Sequence, residues 1–160
     1  MIVRKEKGII KTMNLKERLQ ADLIQAMKAH DETKKWVVKM VKSAIQLAEV
    51  AKGSELDQDE ILALIQKEIK TRQEAKSDAE KAQRDDLVTQ ADAEITCLKT
   101  YLPEQLTAEE LNELVRSVIS QCSATSMKDM GIVMKTLQPL LAGRASNSDA
   151  SRVVRELLLG

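Results

Sequence analysis

Apolar positions recur along this chain at steps of three and four, the spacing of a helix with one buried face. Residues 1–12 carry no such period. From Met13 the pattern starts afresh: Asn14 is placed to cap a helix whose Leu15, Leu19, Leu23 or Ile24, and Met27 form one stripe, ending near His30. Met13 is therefore expected to be the natural start, with 1–12 an extension. Asp31 or Thr33 opens a second helix. Its apolar face is broad, with Trp36 or Val37, Met40 or Val41, Ala44 or Ile45, and Leu47 or Ala48, and Trp36 is expected in the core. Lys52-Gly53 closes it with a cation and a glycine. Asp57, with Glu60 three residues on, starts a third helix carrying Ile61, Leu64, Ile65 and Ile69.

From Lys70 to Gln83 the stripe thins to Ala75, Ala79 and Ala82 among mixed charges, which predicts a solvated arm projecting from the body. The phase shifts around Gln83-Arg84-Asp85-Asp86, with Asp85 as a candidate cap. A fourth helix follows, with Leu87, Val88, Ala91, Ile95, Leu98 and Leu102. Pro103 ends it, because the residue before proline avoids helical dihedrals. After that boundary, Thr107-Ala-Glu-Glu110 is a capping box for a helix with Leu111, Leu114 or Val115, Val118 and Ile119. Ser126 caps a sixth helix, from Met127 to about Leu137, with Asp129 in box position. Met127, Met130, Val133, Met134 and Leu137 make its stripe, and Pro139 is expected beyond its end. Ser146 caps a seventh helix that buries Val153, Val154, Leu157 and Leu158. The pattern predicts an all-α protein of two helical bundles: residues 13–102, a hinge at 103–106, and a three-helix domain over 107–160.

Composition supports the helical reading: 31% charged residues, 5 glycines, 2 prolines, and an aliphatic core, since there is no Phe, one Trp and one Tyr. So few aromatics weaken any reading that stacks bases on rings. The net charge is zero, which argues against a protein that coats nucleic acid non-specifically. The charge is unevenly distributed, however. Between Val115 and Arg155 lie six cations (Arg116, Lys128, Lys135, Arg144, Arg152, Arg155) and two acids, Asp129 and Asp149. A short basic face is the consequence.

Lys128, Lys135 and Arg144, near a helix start and a glycine turn, are placed to position a backbone phosphate, with Arg152 and Arg155 extending the set. The plainer alternative is ordinary solvated charge, with Lys128 paired to Asp129 or to a neighbouring acid. Gly131 inside a helix costs stability and implies close approach of a neighbouring helix or of a ligand, the helix crossing being favoured. Gly143 permits a turn at whose mouth Arg144 sits. Met127, Met130 and Met134 read as core filler and His30 as a helix-end residue. No nucleotide-binding loop, zinc-protease motif or catalytic triad is present, so no catalytic residue, metal or cofactor is expected. Cys97 and Cys122 lack metal-site spacing and suit a reducing compartment, expected to be the cytoplasm. No run reaches the length of a membrane span, and the N-terminus does not read as a signal peptide.

Tyr101-Leu-Pro-Glu-Gln-Leu106, Ser126-Met-Lys-Asp-Met-Gly131 and Gly143-Arg-Ala145 together resemble the YqeY proteins. These are stand-alone relatives of the tail domain of the glutamine-dependent tRNA amidotransferase B subunit. Leu15-Lys-Glu-Arg-Leu19, the helix end from Ala48-Glu49 to Lys52-Gly53, and Ile65-Gln-Lys-Glu-Ile69 extend the resemblance over residues 13–160. It implies two helical bundles meeting near Pro103 and a tail that contacts tRNA away from any active site. It also implies a docking partner among enzymes of tRNA charging or amidation as the alternative role. A family-level association with carbon–nitrogen ligase activity, glutamine as amido donor, comes with it, but no nucleophile or ATP site is visible. Two positions depart from the family pattern. Gln83 stands where glycine is common, which suggests a softer break, and Ser146 stands where aspartate follows the Gly-Arg-Ala turn, which leaves the turn more basic.

Overall fold

The computed structural model describes residues 14–160. The expected extension over 1–12 and the start at Met13 lie outside the described residues. Every regular element among the described residues is helical. Two compact units divide the chain, one ending at Tyr101 and the other beginning at Leu102.

The first unit contains α1 (Leu15–Lys28), α2 (Glu32–Lys52), α3 (Gln58–Lys81) and α4 (Asp85–Lys99). Side-chain caps set three of the four starts. Asn14 and Glu17 form a reciprocal box on α1, Asp31 accepts from the Lys34 N–H, and Asp57 and Glu60 form a box on α3. Arg84, which has no capping side-chain bond, precedes α4, so Asp85 is its first helical residue rather than its cap. Helices α1 and α2 pack as one hairpin and α3 and α4 as another, joined through α2. Leu19, Val37, Val38, Val41, Ile65 and Leu98 are fully enclosed.

Two expectations fail in this unit. Trp36 is 53% exposed, and Met40 and Leu47 share its side of α2. The buried face belongs to Val37, Val38, Val41 and Ile45, a stripe rotated by one residue. The 70–83 stretch is also no free arm. Ala79 is buried, Lys76 reaches Asp92 on α4 (2.7 Å), and Arg72 donates to Glu94 (2.7 Å) and Glu68 (2.6 Å). Arg72 and Lys76 thus serve helix pairing, while Glu74, Asp78, Glu80 and Lys81 stay exposed as the solvated face expected.

The second unit contains α5 (Ala108–Gln121), a 3-10 turn (Met127–Asp129), α6 (Met130–Leu141) and α7 (Asn147–Leu159). Its core is wholly aliphatic: Leu111, Val115 and Val118 of α5, Val133, Leu137 and Leu141 of α6, and Ala150, Val153 and Val154 of α7. Met130 and Met134 pack on it, whereas Met127 is exposed. Thr107 with Glu110 caps α5 and Ser146 caps α7.

Helix α6 starts later and ends later than expected, with Pro139 inside it. In that last turn proline forfeits one backbone bond. Leu137 and Leu141, buried one turn apart on either side, hold the turn against the core. The stop comes instead from Ala142 and Gly143, whose φ angles are +46° and +76°. The turn expected at Gly143 is there, and its left-handed backbone is the conformation glycine adopts at least cost.

Candidate nucleic-acid interface

The short 3-10 turn and α6 carry the core of the candidate surface. The Asp129 carboxylate accepts from the backbone N–H groups of Thr125 (2.9 Å) and Ser126 (3.3 Å), which fixes the entry to the helix. It is engaged with backbone, and no ion pair joins it to Lys128. Lys135 stands on α6 itself, and Lys128 stands in the 3-10 turn that leads into it. Lys135 lies on the side of α6 that faces away from Val133, Leu137 and Leu141. Both lysines are exposed, and neither has a carboxylate within ion-pair distance among the described residues. Ile132, 61% exposed, lies between them, and Pro139 continues the same face. Sequence alone does not single out Ile132, and it expects Pro139 only beyond the helix end. Both fall off the buried stripe, which is the signal that finds them.

Gly131 is exposed and stands at the edge of this face. A Cβ placed there would meet nothing within 4 Å. The favoured expectation, a tight helix crossing, is therefore wrong for Gly131. Its small size serves no packing contact within the chain, and the backbone lies open to the outside.

Arg144 is exposed, but its guanidinium is engaged. It turns back to donate to the Leu140 carbonyl (2.9 Å), one of the carbonyls left without a helical partner where α6 ends. The turn it belongs to is tied down by the segment after Pro103. Gln105 Nε2 donates to the Gly143 carbonyl (3.0 Å) and to the Pro103 carbonyl (2.8 Å). The Leu106 N–H donates to the Arg144 carbonyl (2.8 Å). Two sequence motifs nearly forty residues apart are thus one structure. Gln105 had been given no separate role. Pro103 is an exposed anchor whose carbonyl is used.

On α7, Arg152 is drawn towards Asp149 (3.8 Å) and Glu156 (3.3 Å), so two acids dilute its charge. Arg155 is exposed, away from the buried Val153 and Val154, with no ion pair to any described residue. The five cations thus divide by state. Lys128, Lys135 and Arg155 are unopposed, Arg144 caps a helix, and Arg152 is paired. Such a surface can hold an anion by charge and by exposed backbone, but it presents no nucleophile matched to a base. Among the described residues no cluster of His, Cys, Asp and Glu is arranged to hold a metal.

The family model for Yqey-like protein matches residues 16–158. Among curated proteins, the chain is 29% identical over 145 residues to altered inheritance of mitochondria protein 41, mitochondrial, of Pyrenophora tritici-repentis. That match covers 88% of this chain and 79% of the fungal protein. It is 33% identical over 95 residues to the protein of the same name from Saccharomyces cerevisiae, covering 59% of this chain and 51% of the relative. The match thus spans about half the length of the yeast relative. These relatives are named as mitochondrial, which overturns the expected cytoplasmic location. Unpaired cysteines, on which that expectation rested, do not distinguish one reducing compartment from another.

Proposed function

From the premise that the chain belongs to the YqeY-like family, a small helical accessory protein, we propose that its C-terminal unit contacts the phosphate backbone of tRNA or a similarly folded RNA. Lys128, Lys135 and Arg155 supply the charge, and the open backbone at Gly131 admits a close strand. The observation that carries the reading is the pair Lys128 and Lys135, exposed in the turn that enters α6 and on its outer face, with neither opposed by acid. Arg144 serves this surface by closing α6, and Arg152 contributes less because Asp149 and Glu156 share its charge.

Fluorescence anisotropy of labelled tRNA at low salt tests the reading. Saturable binding is expected, weakened roughly tenfold by Lys128→Ala with Lys135→Ala, while the melting temperature stays unchanged. Absence of saturable binding by the unaltered chain rejects it.

A second reading is a docking module for an enzyme of tRNA charging or amidation. Ile132 favours it, since an exposed isoleucine between two lysines suits a protein surface better than a phosphate. The form of that reading that uses the 70–83 stretch is weaker, because Arg72 and Lys76 are already engaged with α4.

A further inference from the structure

Helix α2 carries a second apolar stripe that nothing among the described residues covers. Trp36, Met40, Ser43, Leu47 and Val50 follow steps of four, three, four and three, the seam of a coiled coil. Four of these five are large and apolar, with exposures of 53% for Trp36, 39% for Met40, 72% for Leu47 and 77% for Val50. Fourteen residues separate the ends, about 21 Å of helix. The stripe lies away from the buried Val37, Val41 and Ile45, so it adds nothing to the core of its own unit.

One flank of the stripe is basic. Lys35, Lys39 and Lys42 lie along it, and its one acid, Glu32, is held by Lys35 (2.7 Å). The same flank borders a groove of about 580 Å³ between α1 and α2, which Lys39, Lys42 and the stripe's own Ser43 line. The groove's one carboxylate, Glu49, is held by Lys16 and by the Leu56 N–H. Lys39 has no carboxylate partner among the described residues, and Lys42 reaches only the Gln20 side-chain oxygen.

We infer that this face docks an amphipathic helix of another protein whose own apolar seam is flanked by Asp or Glu. The seam would lie on Trp36, Met40, Leu47 and Val50, and its acids would meet Lys39 and Lys42 at the rim of the groove. A second copy of this chain fits worse. It brings to the lysine flank either the same lysines, whose one acid Glu32 is already held by Lys35, or the opposite flank, Thr33, Ala44 and Ala51, which has no carboxylate. RNA fits worse too, because Trp36 is the chain's one tryptophan and Met40, Leu47 and Val50 offer no ring for a base. The inference stands on the N-terminal unit and is independent of the RNA reading, so either can fail alone.

Trp36 is its own reporter. The full chain is titrated with two synthetic helix-forming peptides of three heptads. Both have leucine along the seam, one with glutamate on the flanks and the other with lysine. The glutamate peptide is expected to shift Trp36 emission to the blue with a saturable curve, and the lysine peptide to leave it unchanged. Leu47→Glu should weaken binding at least tenfold, and Lys39→Glu with Lys42→Glu should exchange the preference between peptides. Circular dichroism confirms that the variants stay helical. The inference is overturned if neither peptide moves Trp36 or both move it equally. It is also overturned if Trp36 shifts with protein concentration alone, which marks self-association. An RNA oligonucleotide that quenches Trp36 where the glutamate peptide does not would overturn it as well.

Discussion

Tyr101 shows how much one side chain can fix. Its ring is 3% exposed, its hydroxyl donates to the Asp22 carboxylate, and the Arg18 guanidinium lies 4.7 Å from the ring centre. Arg18 also donates to the Thr100 carbonyl (2.9 Å), so α1 is pinned to the end of α4 by one connected group. Burial first, and then the Asp22 hydrogen bond, push the phenol pKa up. A raised pKa means the native state holds its proton more tightly than the unfolded chain, where a phenol titrates near 10. The stabilisation is therefore complete below about pH 10 and declines as pH rises above it. Urea midpoints taken from pH 8 to 11 should fall more steeply for the native sequence than for Tyr101→Phe. At pH 7 that variant should cost about 1 kcal/mol. Since Tyr101 is the chain's one tyrosine, phenolate absorbance should rise only with unfolding. A native-state titration near pH 10 would contradict this. Sequence placed Tyr101 at a boundary but could not show its bond to a residue 79 positions away.

At the scale of elements, the helix starts were readable because a cap is local. Asn14, Asp31, Asp57, Thr107 and Ser146 act within three residues of themselves. Helix ends were less readable. His30, Gln83 and Ser123 adopt left-handed φ angles of 56°, 56° and 52°, and each closes its helix with the paired backbone bonds of a Schellman turn. None of them is the glycine such a turn favours, so the spacing placed breaks near His30 and Gln83 but nothing marked their left-handed backbone. Gln83 does not soften the break as expected: it makes the turn a glycine would make, under strain. Gln83→Gly should raise the unfolding free energy by up to about 1 kcal/mol, read by urea denaturation, and a loss of stability would contradict the account. The α3–α4 hairpin makes the opposite point. Glu94 is 8% exposed and is held by Arg72 and by Gln90 (3.1 Å). Sequence shows charges here but not that two of them meet indoors. Arg72→Met, which leaves Glu94 buried without its cation, should cost about 3 kcal/mol by the same measurement. Pairing it with Glu94→Leu should recover much of that loss.

At the scale of the whole molecule, helical class was legible because spacing and composition agreed. What periodicity could not do was rank two apolar stripes one residue apart on α2, since both have helical spacing. Burial decided for Val37 and left Trp36 outside. The candidate RNA face was half legible for a similar reason. Sequence gathers cations into one stretch, but only geometry shows that Arg144 folds back on its own helix while Lys128 and Lys135 stay outward. The central claim is that these outward charges rest on phosphates, and the salt dependence of tRNA binding tests it most directly. The slope of log affinity against log salt should be about −3 for the unaltered chain, one unit for each of Lys128, Lys135 and Arg155. It should become shallower by about one when Lys135→Ala is introduced. A slope that the substitution leaves unchanged, or an affinity indifferent to salt, would contradict the account.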